Sequence, residues 1–485
     1  MKLYKTYIIL IFCLSASSCI NVLDQEPISQ IASENFFRSA NDAEAALVAC
    51  YQSLRIPYSN NVIIPNIVLA DEGWALRGGN WTRTQNFEVT ATDGHLNNYW
   101  EDMYRALHRT NDVLENVPNI DDPALQKDRV LGEARFLRAF ILYHLTMRYG
   151  NVPMPLETSK SIDQILSVGR STREEIFTQA IADLTEAENL LPHDPGRKYM
   201  ATKAAARGIL AKVALARNSS GDLELALSKL NSITETGGYS LMPSQNYHDM
   251  FENFKQNSAE SIWEISFGPT IQTGGSHNLD WETVPLIRPL GNAIRLGPDP
   301  KLVAAFDANP DDIRRTSNIR PFNSPSITNQ IDHYIAKYTA GPVDPNESNR
   351  RQKDTNIIVL RLADVILLQA EILNELNRTS EAIPLLNFIR DRAGLNPTNA
   401  ASQADVRLAI ENERYLELAF EGHRYYDLVR TGRALAVINN YNGFNFSTGI
   451  ESPRGVPPST DRLIWPLPAR DLDLNPNLLP QNPGW

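Results

Sequence analysis

The chain has 485 residues, a formal net charge of -11 at pH 7 and 42% hydrophobic residues. The acidic balance argues against nucleic acid or an anionic membrane surface as a partner, because both would repel it. With 30 Pro, 25 Gly and 21% charged residues, the chain is expected to be ordered, with structured loops between regular elements.

The first 18 residues predict a secretory signal. Lys2 and Lys5 precede the apolar run Tyr7–Leu14, and small residues then lead to Cys19. The apolar run is shorter than the roughly 20 residues that a membrane-spanning helix needs. These features leave three roles open for Cys19: a buried thiol, half of a disulfide or a covalent attachment point.

Several stretches of the chain have helical periodicity. The segment Gly132–Pro153 carries two apolar stripes, which predicts a helix that is buried most of the way round. Gly150 stands where a left-handed C-cap belongs, and a proline follows it. We therefore predict that this helix ends near Gly150.

A recurring spacing of small and apolar residues predicts four antiparallel helix pairs. The full pattern occurs twice, and its second half occurs twice more. Small residues twelve apart let two helices approach closely, as in the tetratricopeptide unit of roughly 34 residues. The residues that carry the pattern are Ala214, Ala226, Leu230, Ile233, Ala370, Ala382, Leu386, Ile389, Ala180, Leu184, Ala187, Pro192, Ala106, Thr110, Val113 and Pro118.

Between Gly237 and Asn356 the periodicity fades, and Pro, Gly, Asn and Asp become frequent. Only ESIWEISF, residues Glu260–Phe267, is predicted as a strand in this region. So long an irregular stretch inside an ordered chain is more often functional than idle.

The segment Glu411–Ala434 is rich in charge and raises the question of catalysis or metal binding. Its Glu421 and His423 are two residues apart and point to different helix faces, which does not suit a zinc or di-iron helix. No nucleotide-binding or hydrolase motif is present. We interpret the charges as a structural ion-pair network that includes Arg414, Arg424 and Arg430, and we expect neither an enzyme nor a cofactor.

Three tryptophans suggest a ligand site. Trp100, Trp263, Trp465 and Trp485 have structural explanations, because they lie on a helix, in the predicted strand or in the C-terminal segment. Trp74 and Trp81 instead lie in a glycine-rich stretch with hydrogen-bonding neighbours, and Trp281 is similar. A flat indole among amide, carboxylate and guanidinium groups suits a sugar ring. The neighbours of Trp74 and Trp81 are Asp71, Glu72, Arg77, Asn80 and Arg83. The alternative is that each tryptophan packs under its own loop.

Several segments in order resemble the SusD/RagB family of outer-membrane nutrient-binding lipoproteins. They are CINVLDQEP at Cys19, GEARFLRAFILYHLTMRYGNVPMPL at Gly132, RLADVILLQAEILNEL at Arg361, LLNFIRDRAGL at Leu385, ERYLELAFEGHRYYDLVRTGRA at Glu413 and IWPLPARDLDLNPNLLPQNPGW at Ile464. The resemblance implies a mostly α-helical fold with minor β-structure, in which four tetratricopeptide-like helix pairs pack against an irregular ligand-binding lobe.

The resemblance also implies an organisation and a function. The expected regions are a signal at 1–18, a lipidated tether at 19–30, helical regions at 31–236 and 357–485, and the ligand-binding lobe at 237–356. The family implies a non-enzymatic lipoprotein, attached through Cys19 to the outer membrane and facing outside. It would capture a glycan and pass it to a SusC-like TonB-dependent barrel.

The resemblance places Trp74 first among the ligand-binding candidates, followed by Trp81, Asn80 and Arg83. Arg77 lies in the same stretch. The irregular lobe adds His277, Trp281, Arg288 and Arg295. Two alternatives remain: the same scaffold binding peptides, or a protein-protein scaffold of the tetratricopeptide type.

Overall fold

The computed structural model describes residues 36–75, 79–194, 196–251, 257–267, 296–321, 333–338, 356–439, 442–445, 450–453, 455, 457 and 459–485. Within these ranges the protein is mostly helical, with nine helices of at least 14 residues. They are α1 (Ala40–Ser53), α2 (Gly94–Asn116), α3 (Lys127–Tyr149), α4 (Arg173–Leu190), α5 (Lys203–Arg217), α6 (Asp222–Thr236), α7 (Leu362–Glu375), α8 (Thr379–Arg392) and α9 (Gln403–Glu417).

Shorter helical elements connect these nine. The short α-helices are Arg55–Tyr58, Ile64–Leu69, Asn80–Gln85, Ile162–Ser167, Pro300–Asp307, Arg315–Asn318, Arg424–Arg430, Ala434–Asn439 and Ala469–Leu474. A π-helical turn covers Ser59–Ile63, and 3-10 turns cover Val117–Asn119, Ser244–Phe251, Thr460–Leu463 and Pro476–Leu478.

The ends of the long helices follow local sequence signals. Ser39 and Thr172 form capping boxes at the starts of α1 and α4, because each hydroxyl accepts from the third helical residue, whose carboxylate accepts in return. Helix α3 ends at Tyr149, as predicted, and Gly150 follows with a positive φ of 76°, although its ψ of -123° differs from that of the left-handed C-cap we expected. Both apolar stripes of α3 are buried, which confirms the prediction that this helix is covered nearly all round.

The long helices pack as the repeat spacing predicts. Helix α1 contacts α2, α3 contacts α4, α5 contacts α6, and α7 contacts α8. Further contacts of α2 with α3, α4 with α5 and α6 with α7 join the pairs in chain order. The small residues Ala214, Ala226, Ala370 and Ala382 are fully buried. Side chains without bulk at these positions let the paired helices lie close together.

The β-structure consists of short antiparallel pairs. The strands are β1 (Gly73–Ala75), β2 (Val152–Pro153), β3 (Arg170–Ser171), β4 (Ser261–Ile265), β5 (Leu296–Pro298), β6 (Ile319–Pro321), β7 (His333–Ile335), β8 (Ile357–Arg361), β9 (Asn442–Asn445) and β10 (Ile450–Pro453). Their pairs are β1 with β5, β2 with β3, β4 with β8, β6 with β7, and β9 with β10.

Strand β4 confirms the predicted strand at Glu260–Phe267. The prediction that it is the sole strand between Gly237 and Asn356 was wrong, because the described part of that region also holds β5, β6 and β7, together with three helical elements. Three-residue strands leave no alternating pattern to detect. Strand β5 is specified by its pairing with β1, more than 200 residues earlier in the chain.

A continuous core joins the helix pairs to the segments that follow them. Trp263 on β4 is fully buried, with its ring 4.7 Å from Phe136 and 4.8 Å from Phe140, both edge-to-face. Trp465 is also buried, with the Arg148 guanidinium 4.4 Å from its ring. These contacts confirm the structural interpretation of both tryptophans. No helix in the described part of the chain is long and apolar enough to cross a membrane.

Candidate functional site

Trp74, the first ligand-binding candidate, lies on strand β1, where its backbone pairs with Gly297. Its side chain is only 7% exposed. The expectation of an exposed indole on a loop is therefore not met in this structure. The neighbouring Gly73 explains the tight placement, since an added Cβ would lie 2.3 Å from Ile67 Cγ2. A ligand-binding role for Trp74 stays a prediction.

Trp81, Asn80 and Arg83 are brought together on the short helix Asn80–Gln85. Asn80 and Arg83 are exposed, and Trp81 is half-buried. Arg83 Nη2 donates to Asn80 Oδ1 at 3.1 Å, and the same nitrogen lies 2.5 Å from Asp93 Oδ1. Three of the predicted residues thus share one surface turn that combines an aromatic ring, an amide and a guanidinium.

The indole of Trp81 is held by an aromatic neighbour that sequence reasoning missed. The His95 ring lies edge-to-face at 5.7 Å from Trp81 and at 5.5 Å from the buried Trp465. Burial lowers the pKa of His95 to about 4, with Arg83 adding to the effect while Asp93 opposes it. His95 is therefore neutral near pH 7. No local signal predicts this contact, because it depends on how α2 packs beside the turn.

The short helix Asn80–Gln85 is also hydrogen-bonded to strand β1. Gln85 Oε1 accepts from the Ala75 backbone N–H at 2.6 Å, in a buried hydrogen bond. Thr84 Oγ1 lies 3.2 Å from His95 Nε2. The helix that carries Trp81 is consequently fixed to the strand that carries Trp74 and to the first turn of α2.

Asp71 and Glu72 lie beneath this site and are not available to a ligand. Asp71 is 1% exposed and accepts from Arg424 Nε and Lys301 Nζ, each at 2.8 Å. Burial opposes the Asp71 charge, but the two cations outweigh it and lower the pKa. Our expectation that these two carboxylates are hydrogen-bonding groups around an exposed tryptophan is corrected: both are buried behind β1.

Glu72 has an unusual environment for a carboxyl group. Its Oε1 accepts from the Phe420 backbone N–H at 3.1 Å, and Phe420 has φ 67°. Burial raises the pKa of Glu72 to about 8, with the Asp71 charge acting in the same direction and the Phe420 hydrogen bond against it. Glu72 is therefore mostly protonated at pH 7.

The charged segment Glu411–Ala434 forms the predicted ion-pair network, but most partners come from elsewhere. Arg361 Nη1 lies 2.5 Å from Glu417 and 2.7 Å from Glu260, and Arg314 Nη1 lies 2.6 Å from Glu413. All five side chains are at most 1% exposed. Burial disfavours the Glu417 charge, yet the surrounding guanidinium groups hold its pKa well below the usual range.

The remaining candidates lie outside the described residues. They are Cys19, Arg77, His277, Trp281, Arg288 and Arg295. Within the described ranges, no group of three or more His, Cys, Asp or Glu side chains could hold a metal ion.

Two family models match the chain. The one described as "SusD family" matches residues 312–485, and the one described as "Starch-binding associating with outer membrane" matches residues 23–215. The chain is 28% identical to SusD-like protein P2 of Formosa agariphila in an alignment 525 positions long, gaps included, which covers all of both chains.

Solved structures share the fold. A SusD homolog from Bacteroides thetaiotaomicron has a TM-score of 0.80 and 24% identity, with 93% of this chain and 98% of that chain covered. A laminarin-binding SusD-like protein has a TM-score of 0.76 and 25% identity, with 93% of this chain and all of that chain covered. The helix pairs and the sequence matches together define the class: the chain belongs to the SusD/RagB family.

Proposed function

We propose that this protein captures a glycan at the cell surface and delivers it to a partner TonB-dependent outer-membrane barrel. The observation that carries the proposal is the likeness to a laminarin-binding SusD-like protein over 93% of the chain. The net charge of -11 and the absence of catalytic motifs in the sequence agree with a binding protein for a largely neutral polymer.

Trp81 is the proposed stacking surface. It is half-buried, which leaves part of the indole to contact a sugar ring, while its other contact is with His95, which itself packs against Trp465. Asn80 and Arg83 on the same turn supply donors for hydroxyl groups.

A binding panel tests the ligand class. The protein without residues 1–19 is titrated by calorimetry with laminari-oligosaccharides, malto-oligosaccharides and mixed peptides of similar mass. We expect heat from at least one glucan series and none from the peptides. Binding of peptides alone would contradict the proposal and favour a peptide-capturing member of the same fold.

The delivery step requires a partner and an anchor. Cys19 is the proposed lipid attachment, and more than one acyl chain would hold the protein stably without a transmembrane helix. Replacing Cys19 with Ala should move the protein from the membrane fraction to the soluble fraction. Pull-down of the full-length protein should recover an outer-membrane barrel; recovery of no barrel, together with persistence of the Cys19→Ala variant in membranes, would refute the transport assignment.

A further inference from the structure

A cavity of about 340 Å³, here called the arginine hollow, lies apart from the short helix Asn80–Gln85 that carries Trp81. Its walls come from the end of α5, the start of α6, the end of α7, the middle of α9 and the segment Arg424–Arg433. This volume is at the small end of the range for small-molecule sites. The arginine hollow is therefore large enough for one ring-sized ligand.

The charged side chains in the inner part of the arginine hollow are paired with one another. Arg430 donates to both oxygens of Glu371 and to Asp427 Oδ1, and Arg414 donates to Asp427 Oδ2 and to Asp364. Because these side chains already pair with one another, the inner wall offers few free groups to a ligand.

The rim differs, because two arginines there keep open donors. Arg433 gives Nε to Glu411 Oε2 at 3.0 Å, and its two terminal nitrogens have no hydrogen-bond partner in the described part of the chain. Arg407 gives Nε and Nη2 to Glu375, which leaves Nη1 without a partner among the same residues. The side chains are 40% and 43% exposed, so a ligand can reach both.

The charged side chains that line the arginine hollow favour an anionic ligand. Five arginines and four carboxylates line the arginine hollow, which gives it a net charge of +1 in a chain of net charge -11. The carboxylates of Glu375 and Glu411 already accept from arginines on both oxygens. The open groups are thus donors, and a guanidinium fork matches a carboxylate in two parallel hydrogen bonds.

Apolar side chains complete the site. Leu215, Leu223, Ile410 and Leu428 also line the arginine hollow. They provide a surface for the C–H face of a ring, beside donors for a charged substituent. Neither a bare anion nor a neutral sugar uses both features.

We propose that the arginine hollow binds one acidic sugar residue, a hexuronate, with its carboxylate on the Arg433 fork and the Arg407 Nη1 group. The choice of a sugar as the carboxylate carrier rests on the proposed glycan-binding function. The hollow would add recognition of an acidic residue, on the same glycan or a separate one, to the stacking site at Trp81.

The test uses the protein without residues 1–19 and three small probes: glucuronate, glucose and acetate. Glucose lacks the charge and acetate lacks the ring. We expect glucuronate to bind at least about tenfold more tightly than either, and Arg433→Gln to weaken it by roughly tenfold or more, the loss typical of a charge-assisted hydrogen bond. Arg433→Lys keeps the charge without the fork and should lose most of the same affinity.

Matched controls separate the site from general charge effects. Arg378→Gln removes a similarly exposed arginine that pairs with Glu381 outside the arginine hollow, and it should leave glucuronate binding unchanged. Equal affinity for glucose and glucuronate, equal affinity for acetate and glucuronate, or no effect of Arg433→Gln would each overturn the proposal. The thermal midpoint of every variant confirms that it is folded.

The outcome is distinguishable from that of the proposed function. Arg433→Gln should retain the neutral-glucan affinity measured at the Trp81 site. If glucuronate binds the wild-type protein through Arg433 while no glucan binds, the inference about the hollow stands and the neutral-glucan assignment fails. The reverse pattern leaves the glycan function in place and removes the acidic-sugar site.

Discussion

Arg361 binds Glu421 through two hydrogen bonds, from Nε to Oε2 at 2.9 Å and from Nη2 to Oε1 at 2.8 Å, in an environment that excludes water from both side chains. The same guanidinium also contacts Glu260 and Glu417. Strand β8, which ends at Arg361, is thereby joined to the residue before β4, to the end of α9 and to the segment that follows α9. One guanidinium thus bonds three carboxylates, and the side chains of Arg392, Arg314 and Lys337 pair with the same carboxylates and supply the remaining positive charge.

Loss of this guanidinium should be strongly destabilising. In Arg361→Met the carboxylates of Glu260, Glu417 and Glu421 stay buried with less compensation, and removing one partner of a buried ion pair costs about 3–5 kcal/mol. Chemical denaturation should show this as a lower midpoint. The control Arg378→Met breaks an arginine–glutamate pair of similar geometry at the surface, and it should leave the midpoint unchanged. Equal effects of the two substitutions would contradict a central role for Arg361.

Glu72 should make the free energy of unfolding depend on pH between about 4.5 and 8. Its folded pKa is about 8 because of burial, and the ordinary value is 4.5. The folded state therefore binds the proton more tightly, so this contribution is complete below pH 4.5 and is lost as the pH rises towards 8, by at most about 1.4 kcal/mol per pH unit.

The variant Glu72→Gln keeps an acceptor for the Phe420 N–H and cannot ionise. The free energy of unfolding of wild type minus that of Glu72→Gln should fall between pH 5 and pH 8 and then level off. Buried His95 and His423, whose pKa values are lowered to about 4 by burial, act in the opposite direction below pH 6.5 and cancel in this difference. A difference that is flat across this range would show that Glu72 is ionised throughout.

Gly208 on α5 should tolerate no side chain. An added Cβ would lie 2.2 Å from Leu360 Cδ2 on strand β8, in the fully buried core. Gly208→Ala should destabilise by about 1–3 kcal/mol through overpacking, although alanine is the better helix former. Gly94, at the first position of α2, has no heavy atom within 4 Å of an added Cβ apart from its chain neighbours and the backbone of its own helix, so Gly94→Ala should be neutral or stabilising. Thermal midpoints of the two variants provide the comparison, and a stabilised Gly208→Ala protein would contradict the packing.

Trp81 and Trp74 should differ in what they contribute. Trp81→Ala removes a half-buried ring, and we expect roughly three- to tenfold weaker glycan binding with little change in thermal midpoint. Trp74→Ala empties a position that is 7% exposed, and we expect about 3–5 kcal/mol of destabilisation. Titration and melting of each variant separate the effects. Unchanged affinity in Trp81→Ala would remove this turn from the site.

Several features were predictable from the sequence because their signal is local. The apolar stripes of α3, the glycine at its end and the small residues at the helix contacts follow from helical periodicity. The strand at Ser261–Ile265 follows from its run of apolar and aromatic residues. The charges of Glu411–Ala434 were predicted as ion pairs because their spacing suits no metal or catalytic arrangement, and the structure confirms the pairing.

The partners of those charges were not predictable. Glu413, Glu417 and Glu421 pair with Arg314, Arg361 and Lys337, which lie between 56 and 103 residues away along the chain. An arginine in a single sequence gives no indication of which distant carboxylate it will meet. That choice depends on how strand β8 and the residues before it pack against α9.

The candidate site also combines features that have a local sequence signal with contacts between distant segments. The sequence by itself determined the helix pairs, the chemical types of side chain around Trp81 and the family, because periodicity and ordered motifs are properties of the chain. Only the tertiary structure decided that Trp74 is buried against β5, that His95 holds Trp81, and that Arg433 keeps open donors at a cavity. Exposure and contact depend on segments that are far apart in sequence and meet only when the core has formed.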